Sequence, residues 1–362
     1  MKLDVLLLHA ALSPAPKAID AWKEWYGATQ LEEMPAASYR LIPLVHAHLV
    51  ELGYEGTELQ RIKGIRRRLW VEGEQRVFKG VPLLRDLQER FGRLVLLKGA
   101  PLAALYYQDF GLRAMHDLDV LVEEPRALEI IQFLLSSAWK MDIHPKPRRL
   151  DAEFLTFRHG AGFIHPSGVE FDIHWRMSFL GSRPGIDAQV WSAIEPFDLK
   201  GLPCWTLCAT DHLFHTLIHG ILYSPAPASR WVADAIWILK SGRPVDFVRI
   251  ADLSRHYGVG LYVAAALRVL REEFAVNVPD WEPGDAGFWM RREFHRETTD
   301  WYATKSHEMV ASTLHRYART GASFWDLGRL ARYCQFQWDL TTVQGAKVWL
   351  RRLAGREGAR VG

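Results

Sequence analysis

The stretch Leu94–Val122 constrains the fold most, because it joins two strands through a tight turn and a helix. Residues 94–97 form a short apolar run that stops at a Lys-Gly pair, as a buried strand does before a turn. Residues 100–107 have helical composition, and residues 117–122 alternate like a strand with one apolar face. The sequence therefore predicts a strand–turn–helix–strand unit at the centre of the chain.

Two acidic residues, Asp117 and Asp119, lie on the polar face of the second predicted strand. At about 3.3 Å per residue they are roughly 7 Å apart along the strand, and two such carboxylates repel each other when they are buried. A hard cation such as Mg²⁺ takes oxygen ligands and removes this repulsion. The turn at Gly99 leads into a helix N-terminus, which offers N–H groups to a phosphate. The pattern indicates a metal–triphosphate site, with solvated aspartates on an edge strand as the alternative.

A hairpin is predicted farther along the chain, with strands at 154–164 and 169–175 around a His-Pro-Ser-Gly turn. Its second strand alternates cleanly, so Glu170, Asp172 and His174 share one polar face. These side chains form a second set of polar groups on a predicted strand.

Gly99 followed by Asp117-x-Asp119 on a strand resembles the core of the polymerase-β-like nucleotidyltransferase superfamily. The longer run LKG-x-x-L…Y…R-x-x-x-DLDVLV is similar to a bacterial group of nucleotidyltransferases without a known substrate. The resemblance implies Mg²⁺-dependent transfer of a nucleoside monophosphate from an NTP to an acceptor hydroxyl, with release of pyrophosphate. It implies two Mg²⁺ ions and a third carboxylate on a later strand, which is Asp172, with Glu170 as a competing candidate.

The same resemblance assigns Lys98, Gly99 and Ala100 to nucleotide binding. Ala100 stands where the superfamily usually has Ser or Gly, so only backbone donation to phosphate is left at that position. This departure supports an alternative function, a weak or inactive accessory protein that binds a nucleotide or a partner. Arg113 lies four residues before Asp117 and is placed to neutralise phosphate charge.

A second helical segment also carries candidate residues. His212 and His215 lie on one stripe of a predicted helix, and with His174 they are expected on the acceptor side of the site. The resembling family has a His-rich helix here, followed by an Arg-Trp…Asp segment that Arg230 and Asp234 match. Asp234 is a candidate general base, and Arg230 a candidate ligand for the polyphosphate. The alternative is a buried Arg230–Asp234 helix pair.

The predicted fold class is α+β, with a small mixed sheet of the polymerase-β-like nucleotidyltransferase type. The predicted domains are an N-terminal helical region (1–90), the nucleotidyltransferase core (91–200) and a C-terminal helical domain (201–362). The first region includes a long amphipathic helix at 58–91, with Arg66, Arg67 and Arg68 in sequence. These arginines form either a solvated face or a patch that binds phosphates or acids.

Charge and cysteine content restrict the partners and the compartment. The net charge of +3 makes nucleic acid an unexpected partner. No run of about 18 apolar residues occurs, so no membrane span is expected. The three cysteines form no disulfide framework, which favours a reduced, cytoplasmic setting. The partners that the resemblance implies are an NTP and an unidentified acceptor, which is a small molecule, a peptide or a protein.

Overall fold

The computed structural model describes residues 3–143, 147, 149–180, 183–223, 230–283, 291, 294 and 306–337 of the chain. Helices lie on both sides of one mixed sheet, so the predicted α+β fold class is confirmed. Within these residues no helix is both long enough and apolar enough to cross a membrane. The helices are α1 (Leu3–Leu12), α2 (Lys17–Ala28), α3 (Ala36–Tyr39), α4 (Ile42–Glu51), α5 (Leu59–Phe91), α6 (Gly99–Leu102), α7 (Ala127–Ser136), α8 (Ala152–Phe157), α9 (Ala188–Trp191), α10 (Ala209–Tyr223), α11 (Arg230–Lys240), α12 (Phe247–Tyr257), α13 (Gly260–Phe274), α14 (Ser306–Arg319) and α15 (Leu327–Gln337).

The strands are β1 (Val95–Leu97), β2 (Leu118–Leu121), β3 (Lys140–Asp142), β4 (Gly160–Ile164), β5 (Glu170–His174), β6 (Glu195–Leu199) and β7 (Leu202–Thr206). They form a seven-stranded sheet in the order β3-β4-β5-β2-β1-β7-β6. The central strand β2 runs antiparallel to β1 and parallel to β5. The two strands that carry the predicted carboxylates are therefore direct neighbours in the middle of the sheet.

The predicted strand at 154–164 is wrong in its first half, where the chain forms helix α8 instead. The cause is local, because the Asp151 side chain accepts the backbone N–H groups of Glu153 and Phe154, each at 3.0 Å. This N-cap stabilises a helix start that outweighs the loosely alternating pattern. The strand proper begins only at Gly160, and the hairpin turn closes where the sequence predicts it, with the His165 N–H donating to Val169 at 2.8 Å.

Two hydrophobic cores lie on opposite faces of the sheet. The first core includes Val95, Leu97 and Leu121, and it is completed by residues of α1, α2, α4 and α10 to α13. The second core includes Leu96 and Val120, and it is completed mainly by α5 and α7. N-terminal and C-terminal helices therefore share one core, although they are predicted as separate regions. The domain boundaries at 90 and 200 stay a prediction.

The face of the first core is also the face of the acidic residues. Asp119 is paired with Leu97 across the β1–β2 ladder, and residues directly opposite each other project to the same side. Asp119 and Asp172 are likewise paired across β2 and β5. The acidic residues thus lie between the sheet and the helices of the first core.

Candidate active site

Two aspartates face the same side of the sheet from adjacent strands. The parallel register of β2 and β5 sets Asp119 beside Asp172, and Glu170 lies one pleat repeat before Asp172 on β5. Asp119 is only 4% exposed, whereas the Asp172 side chain is 33% exposed. One carboxylate is therefore enclosed by the protein, and its neighbour is accessible from solvent.

Two basic side chains, Lys98 and His174, lie against these carboxylates. Lys98 donates from Nζ to Asp119 Oδ1 at 2.7 Å. The Nε2 atom of His174 lies 3.1 Å from Asp119 Oδ1 and 3.1 Å from Asp172 Oδ2. Because both neighbours of Nε2 are acceptors, this nitrogen carries the proton. The protein itself thus supplies positive charge that offsets the repulsion between the carboxylates.

The pKa values of the cluster follow from these contacts. Burial opposes ionisation of Asp119 and of Asp172, but Lys98 and His174 hold the pKa of Asp119 well below its ordinary value, and His174 lowers that of Asp172. Burial alone would lower the pKa of His174, yet Asp172 and the hydrogen bonds to both carboxylates raise it to about 9. Burial, together with the charge of Asp119, raises the pKa of Asp117 to about 6. Asp119 and Asp172 are therefore ionised at neutral pH.

The cluster also has a donor set suited to a divalent cation. One ligand atom each from Asp119, Asp172 and His174 lies within 4.8 Å of the others. Two carboxylates fit Mg²⁺ or Mn²⁺, and an imidazole adds a preference for transition metals. Asp117, which the sequence places among the ligands, precedes β2 and lies outside this group of three, although its pKa responds to Asp119. The residues present thus fit a metal ion, with His174 as a ligand beyond the predicted carboxylates.

The Gly99 turn packs closely against a buried guanidinium group. Lys98 has a φ of 45°, which strains a residue with a side chain, and Gly99 then begins α6. A Cβ atom on Gly99 would lie 3.3 Å from Met115 Cβ and 3.6 Å from Arg113 Nη1. Arg113 Nη1 is buried and has no hydrogen-bond partner among the described residues, so it is available to a ligand. Ala100 is 2% exposed and belongs to the second core, away from the carboxylates.

Asp234 is bound from the sheet side rather than by its helix neighbour. Its Oδ1 accepts from Arg113 Nε at 2.8 Å and from the Tyr107 hydroxyl at 2.7 Å, and its Oδ2 accepts from Arg113 Nη2 at 2.9 Å. Arg230 donates to the backbone carbonyl of Ala114 instead. The predicted i,i+4 pair is thus replaced by a buried cross-link from helix α11 to the segment before β2.

Two histidines of α10, His212 and His215, are buried and neutral. His212 lies 3.0 Å from the Thr206 hydroxyl through Nε2, and burial lowers its pKa to about 3. Burial also lowers the pKa of His215 well below its ordinary value, with smaller contributions from the positive charges of Lys98 and His174. Nε2 of His215 is buried without a partner in the described part of the chain. His215 therefore combines an unpaired ring nitrogen with a pKa that responds to the charges of the acidic cluster.

His159 is a site residue that the sequence pattern does not single out. Its ring centroid lies 5.4 Å from that of His174, and burial followed by the charge of His174 lowers its pKa to about 3. It directly precedes β4, whose first residue Gly160 is paired with His174 in the sheet. The pairing of Gly160 with His174 could have indicated His159 as a site residue. It requires the register of β4 and β5, however, and a strand predicted to begin at 154 does not give that register.

Comparison with known proteins agrees with this geometry. No curated protein matches the chain. A family model described as "Uncharacterised nucleotidyltransferase" matches residues 35–275, which include all seven strands and most of the helices of the first core. The matched region is well over half of the chain, and it confirms the resemblance noted from the sequence. The protein therefore belongs to this family of uncharacterised nucleotidyltransferases.

Proposed function

We propose that this protein transfers a nucleoside monophosphate from an NTP to an acceptor hydroxyl, with release of pyrophosphate. The observation that carries the proposal is the pairing of Asp119 with Asp172 on adjacent strands, beside the Gly99 turn. Paired carboxylates that can hold a metal ion, next to a positively charged hydrogen-bond donor, are the parts that phosphoryl chemistry requires, because catalysis there is mainly positioning and charge stabilisation.

The metal would be held by Asp119, Asp172 and His174, and Asp117 would supply the further carboxylate that a second ion needs. Bound there, a divalent cation such as Mg²⁺ would neutralise charge on the polyphosphate and favour ionisation of the attacking hydroxyl. Ligation by His174 through Nε2 requires loss of the proton that it shares with the two carboxylates.

The chain's own residues would bind the polyphosphate on the other side of the cluster. The free Nη1 of Arg113 lies 3.6 Å from the position that a Cβ atom on Gly99 would take, and a guanidinium N–H is a strong donor to a phosphate oxygen. Two nitrogens of Arg113 are already held by Asp234, so the third is fixed in direction before any ligand arrives. Such preorganised donors stabilise developing charge better than mobile ones.

Asp172 is the carboxylate best placed to meet the acceptor. It is more exposed than Asp119, and its lowered pKa keeps it ionised at neutral pH. We therefore assign to Asp172 the contact with the attacking hydroxyl. Asp234 was predicted as the base, but three hydrogen bonds occupy its two oxygens, and we assign it the positioning of Arg113 instead.

The test compares two acidic residues on one strand. Calorimetry would measure the binding of ATP, GTP, CTP and UTP with Mg²⁺, with Mn²⁺ and with EDTA. We expect binding of at least one NTP to depend on metal and to weaken at least about tenfold in Asp172→Asn, a loss of about 1.4 kcal/mol. The matched control Glu170→Gln removes a charge from the same strand and should change affinity less than about twofold. Equal NTP affinity in EDTA and in metal would overturn the proposal.

Turnover separates the enzyme from the accessory protein. Incubation with α-labelled NTP and a panel of hydroxyl acceptors should give labelled product and pyrophosphate in wild type and Glu170→Gln, but not in Asp172→Asn. Metal-dependent NTP binding without pyrophosphate release on any acceptor would favour the accessory role. Thermal unfolding of each variant checks that the fold is intact.

A further inference from the structure

A cavity of about 690 Å³ lies outside the acidic cluster, between α5 and the segment 104–110. None of Asp117, Asp119, Asp172 or His174 lines it. Its volume is within the range of small-molecule sites, about 300–1,000 Å³. The side chains that give it chemical character are His46, Lys63, Arg66, Arg67, Trp70 and Lys200.

Two of its four cations are held by acidic partners. Arg66 donates to Asp109 at 2.9 Å, and Asp109 is itself fixed by the backbone N–H of Gly111 at 2.7 Å. Lys200 lies 3.1 Å from Glu74. These pairs neutralise each other and fix two walls of the cavity.

Lys63 and Arg67 have no carboxylate within ion-pair distance in the described ranges, so they leave the cavity with net positive charge. They are one helical turn apart on α5, where like charges repel. An anion bound between Lys63 and Arg67 would relieve this repulsion.

The residues that line the cavity also include an exposed tryptophan and a buried histidine with an unsatisfied ring nitrogen. Trp70 is 47% exposed, so part of its indole is open to a planar ligand. His46 is only 7% exposed, and its Nδ1 is buried with no hydrogen-bond partner among the described residues. Burial, together with the charges of Arg66 and Lys63, lowers the pKa of His46, so the ring is neutral. Leaving such a buried atom unpaired is unfavourable, and a hydrogen bond to a bound ligand would remove that cost.

We propose that this cavity binds a small ligand of the nucleotide class, with its phosphates on Lys63 and Arg67 and its aromatic ring on Trp70. His46 Nδ1 forms a hydrogen bond with the ligand. A local cavity with two free cations in the described ranges fits a small anion better than a polynucleotide, which needs an extended basic surface. This site is separate from the catalytic cluster and does not depend on the proposed transfer reaction.

The test uses ADP in EDTA, so that metal-dependent binding at the acidic cluster does not contribute. Calorimetry compares wild type with the double variant Lys63→Gln/Arg67→Gln. The matched control is Arg61→Gln/Arg68→Gln, which removes the same charge from the same helix at exposed positions paired with other carboxylates. We expect the cavity variant to weaken ADP binding about tenfold or more and the control less than about threefold. Trp70→Ala should weaken ADP but leave inorganic pyrophosphate within about threefold of wild type.

Three results would overturn the proposal. One is the absence of ADP binding to wild type at millimolar concentration in EDTA. Another is equal weakening by the two double variants, which would show a general effect of charge on α5. The third is tighter binding of a short single-stranded RNA than of ADP with the same sensitivity to Lys63 and Arg67, which would assign the surface to nucleic acid. Loss of metal-dependent NTP binding in Asp172→Asn with ADP binding retained would separate the two sites.

Discussion

Replacing Asp234 with Asn tests whether the Arg113–Asp234 pair joins the central sheet to helix α11. The two side chains are 3% and 6% exposed, so the pair is almost fully enclosed. Asn keeps the size of the side chain but removes its charge, which leaves the buried Arg113 guanidinium without compensation. Breaking a buried ion pair from one side costs about 3–5 kcal/mol, because the remaining charge is neither solvated nor paired.

An exposed pair on α5 provides the matched control. Arg68 and Glu72 form an ion pair with side chains 72% and 36% exposed. Ion pairs between exposed side chains contribute little to stability, so Glu72→Gln should have little effect. At about 2–4 °C per kcal/mol for domains of 150–250 residues, Asp234→Asn should lower the melting temperature by about 10 °C. Glu72→Gln should lower it by less than about 4 °C.

The assay is thermal unfolding followed by circular dichroism and by tryptophan fluorescence. Coincidence of the two signals shows that one cooperative transition is compared. A shift in Asp234→Asn no larger than that of Glu72→Gln would refute the positioning role. Were Asp234 the general base instead, the variant would lose turnover while its melting temperature stayed near that of wild type.

Two further predictions concern stability. Burial raises the pKa of Asp187 to about 6, although hydrogen bonds from the Met177 N–H and the Tyr257 hydroxyl oppose this shift. The protonated carboxyl therefore stabilises the fold fully below about pH 4. This contribution falls by roughly 3 kcal/mol as the pH rises through 6. Since Asn does not titrate, the urea midpoint of Asp187→Asn relative to wild type should rise between pH 4 and 7, and an unchanged difference would contradict this. In α10, a Cβ on Gly220 would lie 2.3 Å from Trp231 Cβ, so Gly220→Ala should destabilise the protein by about 1–3 kcal/mol. A Cβ on Gly64 would have no atom within 4 Å, so Gly64→Ala should stabilise α5 by about 0.5–1 kcal/mol. Urea unfolding measures both variants, and a change of the unfolding free energy in the same direction for both would contradict this prediction.

The parts of the site that lie on regular strands were accessible from the sequence. Side chains alternate strictly along a strand, so the shared face of Asp172 and His174 follows from the pattern alone. The neighbouring positions of β2 and β5 were expected from the resemblance, and the observed register pairs Asp119 with Asp172. Periodicity sufficed here because both strands are bounded by clear turns.

The contacts made from turns and between distant segments were not accessible. Lys98 lies in a turn at a φ of 45°, where alternation no longer determines side-chain direction, so its bond to Asp119 could not be deduced. Arg113 and Asp234 meet only because α11 packs against the segment before β2, and helical spacing instead favoured a local pair with Arg230. Local patterns predict local pairs, whereas this cross-link depends on tertiary packing.

The contact between Lys98 and Asp119 also changes the electrostatics of the proposed reaction. The sequence suggests that only a divalent cation makes the closeness of the carboxylates tolerable, but Lys98 and the Nε2 proton of His174 already offset their charge. A metal ion alone would have to compete with both groups for the same oxygens. A metal bound to an NTP brings negative phosphates with it, and these give Lys98 a new partner at the start of the Gly99 turn. We therefore expect the metal and the NTP to bind together more favourably than either binds alone, because the polyphosphate compensates the lysine that the metal displaces.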